Sequence, residues 1–167
     1  MNILPVAGGE PALPADVACG PCQWPLFAGY GPLGALPTAP SIARSFVTQT
    51  LRAWGTSDWA EPCELVISEL ATNVVRAARE PDGCPRYGSD GRLPEFCVRL
   101  LSDRRWLRAE VWDTVQAAFG TPAPRHADPA DESGRGLVIV EAITDHWGWD
   151  EIPGWRGKRV WALFGTR

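Results

Sequence analysis

The stretch from Cys63 to Arg79, CELVISELATNVVRAAR, constrains the rest of the chain more than any other. Its apolar residues fall at Cys63, Ile67, Leu70, Val74 and Ala78, the alternating steps of one helical face. A helix with such a stripe has to be covered, so a second layer must exist for it to lie on. Beside the stripe stand Glu69 and Asn73, about one helical turn apart and on the same side. On the helix alone the pair has two readings: boundary polar residues satisfied by a neighbouring strand, or the beginning of a site.

The flanking chain supplies the partner layer. Residues 1–37 are rich in Pro, Gly and Ala and follow neither the helical nor the strand period, so an irregular leader is expected there, with Trp24, Leu26, Phe27 and Tyr30 as its large apolar residues. From residue 38 onward a single domain is expected. Ile42, Phe46, Val47 and Leu51 predict a first helix, started near Ser41 and ended by Gly55. Ser57 and Asp58 can cap the second helix, with Pro62 in its first turn. After a turn-rich stretch to Pro94, Phe96, Val98 and Leu100 alternate, and beyond a turn at 102–105 so do Leu107, Ala109 and Val111, which predicts two adjacent antiparallel strands. Residues 114–133 are irregular again. GLVIVEAITDHWG reads as a helix with Leu137, Val140, Ile143 and Trp147 inward, and WGWDE with KRVWALF as a terminal hairpin. The predicted fold class is α+β: a two-layer sandwich with a mixed, mainly antiparallel sheet and helices on one face.

Composition narrows the function classes. A net charge of -4 argues against a general nucleic-acid or anionic-membrane surface, which rests on clustered basic residues. No apolar run reaches the roughly 20 residues that cross a bilayer, and the N-terminus lacks the pattern of a signal peptide, so a cytoplasmic location is expected. The five cysteines make an odd number, which speaks against a full disulfide framework; Cys63 and Cys97 read as core thiols, and Cys19 with Cys22 forms a single CxxC, a weak zinc signal. His126 and His146 are isolated.

Three motifs carry chemistry. Glu69 and Asn73 are the first. Asp113, at the end of a strand, is the second; such an aspartate either forms a turn or meets a ligand at the rim. The third is ESGRGL, Glu132 to Leu137, in which Gly134 and Gly136 flank Arg135 and lead into a helix. Glycines there let the backbone approach closely, and the free N–H groups of a helix start favour an anion such as phosphate. Arg135 reads equally as a phosphate contact and as a solvated surface residue.

In this order the motifs resemble the ATP-binding domain shared by sensor histidine kinases, gyrase-type topoisomerases, a heat-shock chaperone and mismatch-repair ATPases. Within that superfamily the chain is most similar to stand-alone anti-sigma factor serine/threonine kinases, through ELATNVVRAA at 69–78, RAEVWDT at 108–114, ESGRGLVIVEAITDHWGW at 132–149 and KRVWALF at 158–164. The resemblance implies ATP and Mg²⁺ as cofactors, with Glu69 as general base toward the accepting hydroxyl and Asn73 as Mg²⁺ ligand. It further implies Asp113 as acceptor for the adenine amino group, Gly134 and Gly136 facing the phosphates, and 114–133 as a lid. It also implies a serine on an anti-anti-sigma partner as substrate, a sigma factor as a second protein partner, and the capacity to form a homodimer. Three positions depart from the pattern: Val115 replaces a glycine, Ala77 a histidine, and Arg159 follows Lys158 where a threonine is common. The alternative is a nucleotide-binding module without catalysis that works by holding a partner. A small ATPase or a detached histidine-kinase domain would need a phosphoacceptor helix or a transducer domain, and neither is read in this sequence.

Overall fold

The computed structural model describes residues 24–88, 90–115, 135–151 and 157–166. In chain order these form β1 (Leu26–Gly34), α1 (Ala39–Trp54), α2 (Ala60–Ala77), β2 (Glu95–Ser102), β3 (Trp106–Asp113), α3 (Arg135–Ile143), β4 (His146–Glu151) and β5 (Lys158–Gly165). The strands make one sheet in the order β1-β2-β3-β5-β4, and every pairing among the described residues is antiparallel. The helices supply a common core with one face of this sheet, which is the expected α+β sandwich.

α2 lies where its stripe requires. Cys63, Ile67, Leu70, Val74 and Ala78 are all buried, and Val66, Ala71 and Val75 widen the covered face. Its start differs from the expectation: a 3₁₀ turn at Ser57–Trp59 precedes it, and Trp59 stands at the cap without a side-chain bond, so Ser57 and Asp58 do not cap it. α1 is rotated relative to its predicted stripe. Its buried residues are Ala39, Ala43, Val47 and Leu51, whereas Ile42 is 39 % exposed. Phe46, partly buried, stacks on Tyr30 of β1 with ring centroids 5.5 Å apart. The alanines explain the rotation, because small side chains let α1 approach its neighbours more closely than Ile42 would allow. Gly55, at φ 68°, closes the helix as expected.

Two expectations are corrected. The stretch 1–37 is not irregular throughout, since Leu26–Gly34 forms an edge strand paired with β2. Its sequence hides the strand because its register shifts between Tyr30 and Leu33, and Gly and Pro are tolerated at edges and bulges. Gly31 is required there: at φ 139°, an added Cβ would lie 2.9 Å from Cys97 Sγ. The helix predicted to run to Trp147 stops at Ile143. The Thr144 hydroxyl and N–H both donate to the Val140 carbonyl, and the Asp145 N–H donates to the Leu163 carbonyl, which carries the chain into the sheet. Trp147 therefore reaches the core from β4, and His146 is exposed at the start of that strand.

β3 is buried on both faces. Leu107, Ala109, Val111 and Asp113 share the helix-covered side, while Arg108 and Glu110 point the other way and are buried as well. On that outer face Arg108 Nε donates to Glu110 Oε1 at 2.8 Å, and Arg159 Nη2 to Asp150 Oδ2 at 2.6 Å. Trp161 Nε1 also donates to Asp150 Oδ2, at 3.2 Å. Charges buried in this way persist only when paired.

The orientation of α1 is directly testable by denaturant unfolding. Leu51→Ala is expected to cost about 2–5 kcal/mol, as for a fully buried leucine. Ile42→Ala is expected to cost no more than about 0.5 kcal/mol. Equal costs would place Ile42 in the core.

Candidate functional site

Asp113 ends β3 on the helix-covered side and is 0 % exposed. The antiparallel ladder sets it directly across from Lys158, the first residue of β5. Lys158 Nζ donates to Asp113 Oδ1 at 2.9 Å, and the Val115 N–H donates to the same oxygen at 3.0 Å. Lys158 Nζ also lies 3.5 Å from the Val115 carbonyl. Asp113 Oδ2 is buried with no hydrogen-bond partner among the described residues. Burial pushes the Asp113 carboxyl above its ordinary value, against the opposing pull of the Lys158 charge and hydrogen bond and of the Val115 N–H. An orphaned carboxylate oxygen in such a place suits a ligand that brings its own donor.

Glu69 and Asn73 are half-buried on α2, and among the described residues neither has a hydrogen-bond or ion-pair partner. Among the described residues no strand supplies a hydrogen-bond partner to either. Glu69 meets the start of α3 at Gly136, where a Cβ would stand 2.5 Å from Glu69 Oε2. A residue with a side chain at 136 would displace the carboxylate. The contact joins the first motif to the third.

The structure thus joins Glu69 with Gly136 and Asp113 with Lys158, all four on elements that build one core. Gly134, the expected lid beyond residue 115, the Cys19 and Cys22 pair and His126 lie outside the described residues, as does the side chain of Arg135. Lys158 is the partner that the motif reading passed over; its signal is that the chain's only lysine opens the strand. The departures at 115 and 159 do not empty this corner. Val115 gives its backbone N–H to Asp113, and Arg159 belongs to the outer face, bonded to Asp150.

Two cysteine expectations separate. Cys63 is a fully buried thiol held well above its ordinary value by burial, hence unreactive. Cys97 is only partly buried and faces away from the helices, beside Gly31, so it is not a core thiol. Among the described residues no cluster of three His, Cys, Asp or Glu is placed to hold a metal. No helix there is long and apolar enough to cross a membrane.

A family model described as the histidine kinase-like ATPase domain matches residues 33–164. No curated protein matches the chain.

The burial of Asp113 fixes a sign for the pH dependence of stability. Because its folded-state value is raised, the ionised form opposes folding. Relative to Asp113→Asn, the native protein is expected to lose stability as pH rises from 3.8, the ordinary value, through the raised one, with a flat difference on either side. Urea unfolding at stepped pH measures this. A difference that grows in the native protein's favour across that window would mean that the Lys158 pair outweighs burial.

Proposed function

The chain belongs to the histidine kinase-like ATPase family, and from that premise we propose that it is an ATP- and Mg²⁺-dependent serine/threonine kinase of the anti-sigma factor type. The observation that carries the reading is Asp113 Oδ2, buried and without a partner among the described residues. It offers an acceptor for the adenine amino group, which brings two N–H donors and would remove the cost of the orphaned oxygen.

The remaining roles follow from chemistry and from the family's order of motifs. The opening N–H groups of α3 lack intrahelical acceptors and favour an anion, so they would receive the phosphates. Gly136 lets the start of α3 lie against Glu69, which would set the phosphates beside that carboxylate. Asn73 supplies a neutral carbonyl oxygen to Mg²⁺, a cation that takes one or two protein ligands and completes its shell with phosphate oxygens and water. Held there, the metal would supply charge neutralisation on the phosphates. Glu69 accepts the proton of a serine hydroxyl on the protein substrate as that oxygen bonds to the γ-phosphorus. The bond from the γ-phosphorus to the β-bridging oxygen breaks, and ADP leaves. The serine belongs to an anti-anti-sigma partner, and a sigma factor is a second protein that the kinase would sequester.

Transfer of labelled phosphate from ATP to a co-encoded partner tests this. The native protein is expected to label the partner on serine. Glu69→Ala is expected to retain ATP binding within about threefold and to lose roughly 10²–10⁴ in transfer rate, the contribution of one general base. Asn73→Ala is expected to lose the Mg²⁺-dependent part of ATP binding. Binding of ATP without transfer by the native protein to any partner would leave a nucleotide-binding module that acts by contact alone.

A further inference from the structure

Asp113 offers its two oxygens unequally. Oδ1 receives the Lys158 ammonium at 2.9 Å and the Val115 N–H at 3.0 Å, whereas Oδ2 receives nothing among the described residues. Lys158 is itself mostly covered, with a side chain 15 % exposed, and it is held by its cross-strand register opposite Asp113 rather than by a loop. Its second contact, to the Val115 carbonyl at 3.5 Å, ties the ammonium to the residue that also donates to Oδ1. Oδ1 is therefore occupied from two sides, and the carboxyl plane is fixed with Oδ2 as its remaining acceptor.

We propose that Lys158 is a positioning residue that makes the base pocket selective for a 6-amino purine over a 6-oxo purine. The proposal rests on the ATP reading above and names the group that enforces it. An ionised carboxylate can only accept hydrogen bonds, whereas a protonated one donates. The 6-amino group of adenine donates, and the 6-oxo group of hypoxanthine accepts. A carboxylate clamped through Oδ1 presents Oδ2 as an acceptor, which pairs with the first and repels the second. Without the ammonium, burial acts on Asp113 with less opposition, and the carboxyl takes up a proton more readily. A protonated carboxyl donates to a 6-oxo group. Lys158 acts through Asp113 in this scheme, since its ammonium is already engaged with Oδ1 and the Val115 carbonyl.

The test measures equilibrium binding of ATP and of inosine triphosphate, both with Mg²⁺, to the full chain. The native protein is expected to prefer ATP by roughly 10–100-fold, the range set by one mismatched buried polar group. Lys158→Met, which keeps the length of the stem, is expected to reduce that preference to within about threefold. Lys158→Gln gives the same reading if the methionine variant does not fold. In an Asp113→Asn background, Lys158→Met is expected to leave the ratio unchanged, because the residue through which it acts is gone. A Lys158 variant that weakens both nucleotides equally and keeps the native ratio would overturn the proposal while leaving the ATP reading intact. Failure of the native protein to bind ATP at all would instead remove the reading on which it rests.

Discussion

The burial of one face of α2 against the sheet is the constraint on which the rest of this structure depends. Cys63, Val66, Ile67, Leu70, Ala71 and Val74 have no other way to leave water, and they settle on the face made by Phe96, Val98, Leu100, Ala109 and Val111. That docking fixes the helix in rotation as well as in place. Glu69 and Asn73, beside the stripe, are thereby held half-buried, with Glu69 against the first turn of α3. The apolar stripe thus serves as the means by which two polar side chains are kept still.

The proposed site sits where the fold tolerates unfavourable electrostatics. A buried carboxylate with one oxygen unpartnered opposes folding, and the pair with Lys158 offsets only part of that cost. The outer face of the sheet offers a contrast. There Glu110 and Asp150 are also buried, but each is bonded to arginine and to a tryptophan indole N–H. The Glu110 and Asp150 carboxylates are thus paired through both arginine and indole donors, whereas Asp113 Oδ2 on the other side of the sheet has no partner among the described residues. That difference is why the proposed ligand contact is placed at Asp113 rather than on the outer face.

How much of this was legible in the sequence depended on whether a residue's neighbours were local. The α2 stripe, the alternation of β2 and β3 and the terminal hairpin follow from periodicity alone, and the structure has all of them. β1 was not legible, because Gly31 and Pro32 interrupt its pattern and an edge strand has one ladder neighbour to reveal it. The end of α3 was missed because Trp147 stands one helical step beyond Ile143 and so continues the apolar stripe, whereas the Leu163 carbonyl, far along the chain, draws Asp145 into the sheet. The rotation of α1 came from Ala39 and Ala43, whose small size mattered more than the hydrophobicity of Ile42. Glu69, Asn73, Asp113 and Gly136 were legible as motifs. Lys158 was not, since its meaning comes from standing across a ladder from Asp113.

The most direct measurement is a crystal structure of the chain with Mg²⁺ and a non-hydrolysable ATP analogue. The expected result places the adenine amino group within hydrogen-bond distance of Asp113 Oδ2, the Lys158 ammonium still on Oδ1, and the phosphates at the start of α3 beside Gly136 and Glu69. A nucleotide bound elsewhere, with Asp113 Oδ2 left unpartnered, would contradict the assignment of this corner of the fold as the nucleotide site.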